Sequence, residues 1–163
     1  MYSNKLICEL LMYIDKNINY KITISDIENI FFYNKYYIMK LFKKEINLTI
    51  IEYINSIRVY NSIMSIKNNV NNNLINIAIK NGFYSLEYYS ETFKKITGMA
   101  PKKYKNFFSR SNTLSLDEID KIKKTIFNLY KMIDFKKEYL KKQKTVALPT
   151  IKLSIINKKK IEN

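Results

Sequence analysis

Gly82-Phe-Tyr-Ser-Leu-Glu-Tyr-Tyr-Ser-Glu-Thr-Phe-Lys-Lys-Ile-Thr-Gly98-Met-Ala-Pro101-Lys-Lys-Tyr104 holds both glycines and one of the two prolines of a 163-residue chain. A sequence this poor in Gly and Pro places them where the backbone demands them. Gly82 follows the apolar helical run Leu74, Ile75, Ile77, Ala78, Ile79 and precedes a helix started by Ser85. It therefore reads as a left-handed turn residue, a conformation Gly adopts without steric cost. Gly98 closes the second helix, and Pro101 pre-sets the first turn of a third. The pattern is a helix-turn-helix with a C-terminal brace, the unit that lays its second helix in a DNA major groove.

Upstream, Leu6, Ile7, Leu10, Leu11, Tyr13 and Ile14 recur at helical spacing over Asn4 to Asn17. Thr23 or Ser25 can cap a brief helix of about Ser25 to Phe31, with acidic residues in its first turn. Asn34 is a good N-cap for Lys35 to Ile46. There Ile38, Leu41 and Phe42 form a buried stripe, and Lys35, Tyr36, Met39, Lys40 and Lys43 share the opposite face. This is a second helix-turn-helix. Thr49 to Lys67 is a long helix with Arg58 as its one strong interior charge, broken by the polar run Asn68 to Asn73. The fold class is all-α: two helix-turn-helix subdomains joined by a long helix, followed by a C-terminal long helix and short tail.

This arrangement resembles the DNA-binding domain of the AraC/XylS family of bacterial transcription regulators. The family's second-half pattern is met by Ile77-Ala78, Gly82-Phe83, Ser85, Tyr88-Tyr89, Phe93-Lys94, Gly98, Pro101 and Tyr104, and its first half by Phe42-Lys43-Lys44-Glu45, Tyr53 and Arg58. The likeness covers Leu6 to Phe108. It places the domain at 1–108, with the first unit at about 23–47, the linker helix at 49–67 and the second unit at 74–98. Departures concentrate in the first unit. Glu28 stands where the family has a small residue, and Phe32 where it has Gly at the turn. A bulky residue at a positive-φ position is strained, so either the first turn takes another path or the alignment shifts locally. Asn47 replaces the Gly closing the basic helix, which Asn tolerates.

The resemblance implies sequence-specific binding of double-stranded DNA and transcription regulation. By family habit the regulator is more often an activator that contacts RNA polymerase. Helices of about 35–46 and 86–96 would enter successive major-groove segments. Base reading falls to Tyr36, Met39 and Lys40 in the first and to Leu86, Glu87, Ser90 and Glu91 in the second, all expected to be exposed. Lys40 can donate to guanine, Tyr36 and Met39 can pack on thymine methyls, and Glu87 can accept from a cytosine amine. Phosphate contacts fall to Lys35, Lys43, Lys44, Lys94, Lys95, Lys102 and Lys103, helped by the N–H groups at the helix starts after Asn34 and Ser85. Any one of these lysines could equally be part of a solvated face, but as a set they cluster on the recognition helices and the brace. Glu91 is unusual beside phosphates unless it accepts from a base or pairs with Lys94 or Lys95. The two acids either specify cytosine or weaken the grip. A rival reading is a degenerate relative that has lost base reading and acts as a protein-interaction module through its C-terminal helix.

Residues 109–163 form a separate C-terminal region of amphipathic helix and basic tail. Ser115-Leu-Asp-Glu118 is a capping box, and Leu116, Ile119, Ile122, Ile126, Leu129, Ile133 and Leu140 then recur over 25 to 28 residues, interrupted at Lys136. Such a helix can fold back on the domain, form a homodimer through 116–140, or lie on a membrane surface. After Lys144 the β-branched run toward Ile156 could be a strand.

Composition sets the outer limits. There are 29 basic and 14 acidic residues, a net charge of +15, and this biases the chain toward polyanions even though codon bias from an AT-rich genome contributes. With no His and a single Cys, neither a Cys/His zinc site nor histidine-dependent catalysis can be built, so no metal, cofactor or enzymatic activity is expected. Cys8 lies among apolar neighbours and reads as core. No apolar run reaches membrane-spanning length and no signal peptide is evident, so the expected location is cytoplasmic. The family's usual sensor domain is missing, which points to control through abundance or a partner.

Overall fold

Side-chain caps set where the helices begin. The computed structural model describes residues 2–110 and 112–144, and these form eight helices and no strand. They are α1 (Tyr2–Asn17), α2 (Ile24–Phe31), α3 (Lys35–Ile46), α4 (Ile50–Asn68), α5 (Leu74–Lys80), α6 (Leu86–Thr97), α7 (Pro101–Phe108) and α8 (Leu116–Lys144). Thr23 and Thr49 close capping boxes with Asp26 and Glu52 at the starts of α2 and α4. Asn34, Asn73 and Ser85 cap α3, α5 and α6. Ser115 accepts from the Glu118 N–H, while its own N–H donates to the Glu118 carboxylate. Each cap satisfies N–H groups that the helix itself leaves without partners. The run expected as a strand lies at 145 and beyond, outside the described residues, and no helix among the described residues is long and apolar enough to cross a membrane.

The first turn keeps the left-handed geometry despite its side chain. Phe32 sits at φ 58° and ψ 31° as the C-cap of α2, its N–H donating to the Glu28 carbonyl, with 91% of its surface exposed. A non-Gly residue pays roughly 1–2 kcal/mol for this region, and an exposed ring recovers little of it. Asn47 takes the same region at φ 62° with less difficulty. Phe32→Gly is therefore expected to stabilise the protein by about 0.5–1 kcal/mol, the left-handed penalty less the extra backbone entropy of Gly. A urea midpoint below that of the parent would contradict this account.

Two hydrophobic clusters share α4. The first joins Leu6, Ile7, Leu10, Leu11 and Ile14 of α1 with Ile27 of α2, Ile38, Leu41 and Phe42 of α3, and Ile50, Tyr53, Ile54 and Ile57 from the first half of α4. The second takes Val59, Ile63 and Ile66 from the rest of α4 and adds Ile77, Ala78, Phe83, Tyr89, Phe93 and Tyr104. Phe93 meets Tyr89 and Tyr104 edge-on, with centroids 5.6 and 4.9 Å apart, the arrangement that ring quadrupoles favour. Cys8 is buried, and burial pushes its thiol above the ordinary value, which keeps it protonated and inert.

α8 folds back on its own chain, the first of the three placements open to it. Ile122 and Leu129 enter the second cluster, whereas Met132, Ile133, Tyr139 and Leu140 pack on the first. Lys136, the break in the apolar seam, is buried and bonds both carboxylate oxygens of Asp15 in α1.

Candidate nucleic-acid interface

The two recognition helices are built on one plan. In each, an apolar face packs inward: Ile38, Leu41 and Phe42 from α3, and Tyr89 and Phe93 from α6. The opposite face is left to solvent. On α3 it carries Tyr36, Met39, Lys40, Lys43 and Lys44, all exposed, with the Lys35 ammonium 5.4 Å from the Tyr36 ring centroid. On α6 it carries Glu87, Glu91, Lys94 and Lys95, also exposed, with Lys102 and Lys103 exposed on α7. Leu86 and Ser90 differ from expectation. Both are half-buried, and Leu86 packs against the second cluster, because the first turn of α6 leans onto the aromatic residues beneath it.

The helix starts are partly engaged within the protein. Asn34 accepts from the Tyr36 N–H at 2.9 Å, and the Glu28 carboxylate accepts from the Lys35 N–H at 3.0 Å. The residue that departs from the family's small side chain thus supplies an acceptor to the N-terminus of α3, where a negative charge is favoured by the helix dipole. Ser85 plays the capping part on α6, accepting from the Tyr88 N–H at 3.1 Å.

The basic groups differ in how far they are committed. Lys103 pairs with Glu118 at 2.5 Å, an exposed bridge at the start of α8. Lys43 stands 3.8 Å from Glu52, a loose pair. Glu52 has its pKa lowered first by hydrogen bonds from Thr49 and then by the charges of Lys43 and Lys95. Tyr33, Tyr37 and Tyr84 were not anticipated. Tyr33, in the turn before α3, stacks on Tyr37 in its first turns at 5.7 Å, while Tyr84, 76% exposed in the turn before α6, stacks on Tyr88 at 4.9 Å. Tyr88 in turn accepts from the Asn55 amide of α4. The available signal was an aromatic residue at a solvent-facing position of α3 for Tyr37, and aromatic residues in the turns just before α3 and α6 for Tyr33 and Tyr84.

The joint between the units is the other feature invisible in a list of exposed residues. Arg58, 7% exposed in the middle of α4, donates from Nε to the Ile18 carbonyl at 2.9 Å and from Nη2 to the Tyr20 carbonyl at 2.7 Å. Its guanidinium carbon lies 6.0 Å from the Phe83 ring centroid. Gly82, at φ 83°, faces the same carbonyl: a Cβ there would stand 2.5 Å from Ile18 O and 2.9 Å from Arg58 Nε. The loop after α1 is thereby pressed against the turn of the second unit.

A family model described as a helix-turn-helix domain matches residues 28–106. Residues 28–106 are a helix-turn-helix domain of the AraC/XylS family. Relatives of this AraC-type domain include the transcriptional regulator YbfP of Bacillus subtilis, 28% identical over 110 residues that make up 68% of this chain and 37% of that protein. The melibiose operon regulatory protein of Escherichia coli is 28% identical over 99 residues, 61% of this chain and 32% of the relative. The transcriptional activator AarP of Providencia stuartii is 26% identical over 117 residues, 72% of this chain and 86% of AarP. The chain thus spans about a third of the first two and most of the third. A solved structure of a Listeria innocua protein of unknown function superposes with a TM-score of 0.58 at 29% identity, covering 62% of this chain and 95% of that one. The names of the relatives are those of transcription regulators, and α8 lies beyond the matched AraC-type domain.

Proposed function

We propose that the chain is a sequence-specific DNA-binding transcription regulator that reads two successive major-groove segments with α3 and α6. The observation that carries this reading is a pair of recognition helices, each with its apolar face packed and its polar face free, held on one framework through α4. Phosphate contacts fall to Lys35, Lys43, Lys44, Lys94, Lys95 and Lys102, with Lys103 shared between phosphate and Glu118. Tyr36, Met39 and Lys40 read bases from α3, and Glu87 and Glu91 read cytosine amines from α6. Leu86 and Ser90 act only through their exposed edges. That AarP is by name an activator supports an activating role, and contact with RNA polymerase is part of this proposal.

Six or so lysine contacts to phosphate predict a slope of log K against log salt of about −5. Glu87→Ala should relax selection at one base position in a library of binding sites while leaving that slope unchanged, whereas Lys40→Ala should weaken binding and lower selectivity together. A flat salt dependence with no selected sequence would remove this reading in favour of a protein-interaction module. A homodimer through 116–140 would have to use the outer face with Leu116, Phe127, Tyr130 and Phe135, because Ile122 and Leu129 lie inside the protein. Light scattering at micromolar concentration separates the monomer expected here from that dimer.

A further inference from the structure

Helix α8 packs on both hydrophobic clusters and is so anchored in both units. Its 29 residues span about 43 Å at 1.5 Å per residue, longer than α4 with its 19 residues at about 28 Å. The N-terminal half gives Ile122 and Leu129 to the second cluster, and Lys103 of α7 fastens its first turn through Glu118. The C-terminal half rests Met132, Ile133, Tyr139 and Leu140 on the first cluster. In the middle of that half, Lys136 is buried and bonded to Asp15 of α1. A buried ammonium is costly unless it is paired, so this bond admits one register of α8 on α1.

We propose that α8 is a second strut that fixes the two recognition helices relative to each other, with Lys136 as its positioning residue. The inference rests on the DNA-reading function proposed above. With α4 and the Arg58 joint alone, the units could still rock about one helix; a second helix crossing both clusters makes such motion break contacts at one end or the other. On DNA, one base pair inserted between the two contacted segments turns the second by about 34–36° and moves it by about 3.4 Å. A rigid pair of readers cannot follow that change without bending the duplex, whereas a loosened pair can. The strut therefore sets how strictly the protein selects the spacing of its two contacted segments.

The test uses the full chain in two measurements. A binding site recovered from random DNA is altered by one or two base pairs between its halves. The parent should lose about tenfold or more in affinity per change, while Lys136→Glu, which faces Asp15 with a like charge, should lose less than about threefold. The swap Asp15→Lys with Lys136→Glu should restore the strict profile, and Lys136→Gln supplies a milder break should the reversal impair folding. Separately, spin labels at Ser25→Cys and Lys80→Cys, with Cys8→Ala, report the distance between the units without DNA. The distribution should be narrow in the parent, broad in Lys136→Glu and narrow again in the swap. An unchanged distance distribution and an unchanged spacing profile in both single variants would overturn the strut. If the distances respond but no DNA sequence is selected, the strut stands and the proposed function falls.

Discussion

Gly82→Ala is expected to destabilise the protein by about 3 kcal/mol or more, whereas Gly98→Ala should cost only about 1–2. Both glycines occupy the left-handed region, at φ 83° and 76°, so an alanine suffers the same backbone penalty at either site. They differ in what the new methyl meets. At Gly98 nothing lies within 4 Å. At Gly82 the methyl would stand 2.5 Å from the Ile18 carbonyl oxygen and 3.1 Å from Asn19 Cα, both backbone atoms, as well as 2.9 Å from Arg58 Nε. Backbone cannot rotate out of the way, so the loop after α1 must withdraw and take the Arg58 hydrogen bonds with it. Urea unfolding of the two variants followed by circular dichroism measures the difference directly. Equal losses at the two glycines would show that the close approach carries no energy of its own.

The contrast also marks how far the sequence could be read. A left-handed turn at Gly82, the N-caps Asn34 and Ser85, the capping box at Ser115 and the buried stripe of α3 are local, set by residues within four positions of one another, and local rules suffice for them. The limits of α2, α3, α4 and α6 accordingly fall within a residue of those expected, while α8, expected over 25 to 28 residues, has 29. Contacts across the chain are another matter. Arg58 takes acceptors 38 and 40 residues upstream, and Lys136 takes one 121 residues away. In both cases the sequence carried the sign of a partner, a lone charge on an apolar stripe, but not its identity. Glu28 shows the same limit at shorter range, since its bond to the Lys35 N–H depends on the angle between α2 and α3. The half-burial of Leu86 and Ser90 depends on how α6 seats against its neighbours, Leu86 against the cluster that holds Phe83 and Tyr89, which no periodicity encodes.

Replacing Arg58 should weaken the same joint from the other side, with Arg58→Met losing about 3 kcal/mol. Hydrogen bonds from a charged donor contribute roughly 1.5–3 kcal/mol each. The loss of two is offset in part because the guanidinium no longer has to be desolvated, the burial that also draws its pKa below the ordinary value. The Ile18 and Tyr20 carbonyls would be left facing a thioether that accepts poorly and donates nothing. Arg58→Lys should fall between the parent and Arg58→Met. It keeps the charge, but a single ammonium does not present the Nε and Nη2 pair that reaches the Ile18 and Tyr20 carbonyls at 2.9 and 2.7 Å. The decisive comparison is the double variant with Gly82→Ala. If Gly82 and Arg58 act on one joint, alanine at Gly82 has already displaced the Ile18 loop, and removing Arg58 then breaks contacts that are partly gone. The double variant should be less damaged than the sum of the singles by about 1 kcal/mol or more. Strict additivity would mean that the close approach at Gly82 and the Arg58 hydrogen bonds hold the units together independently.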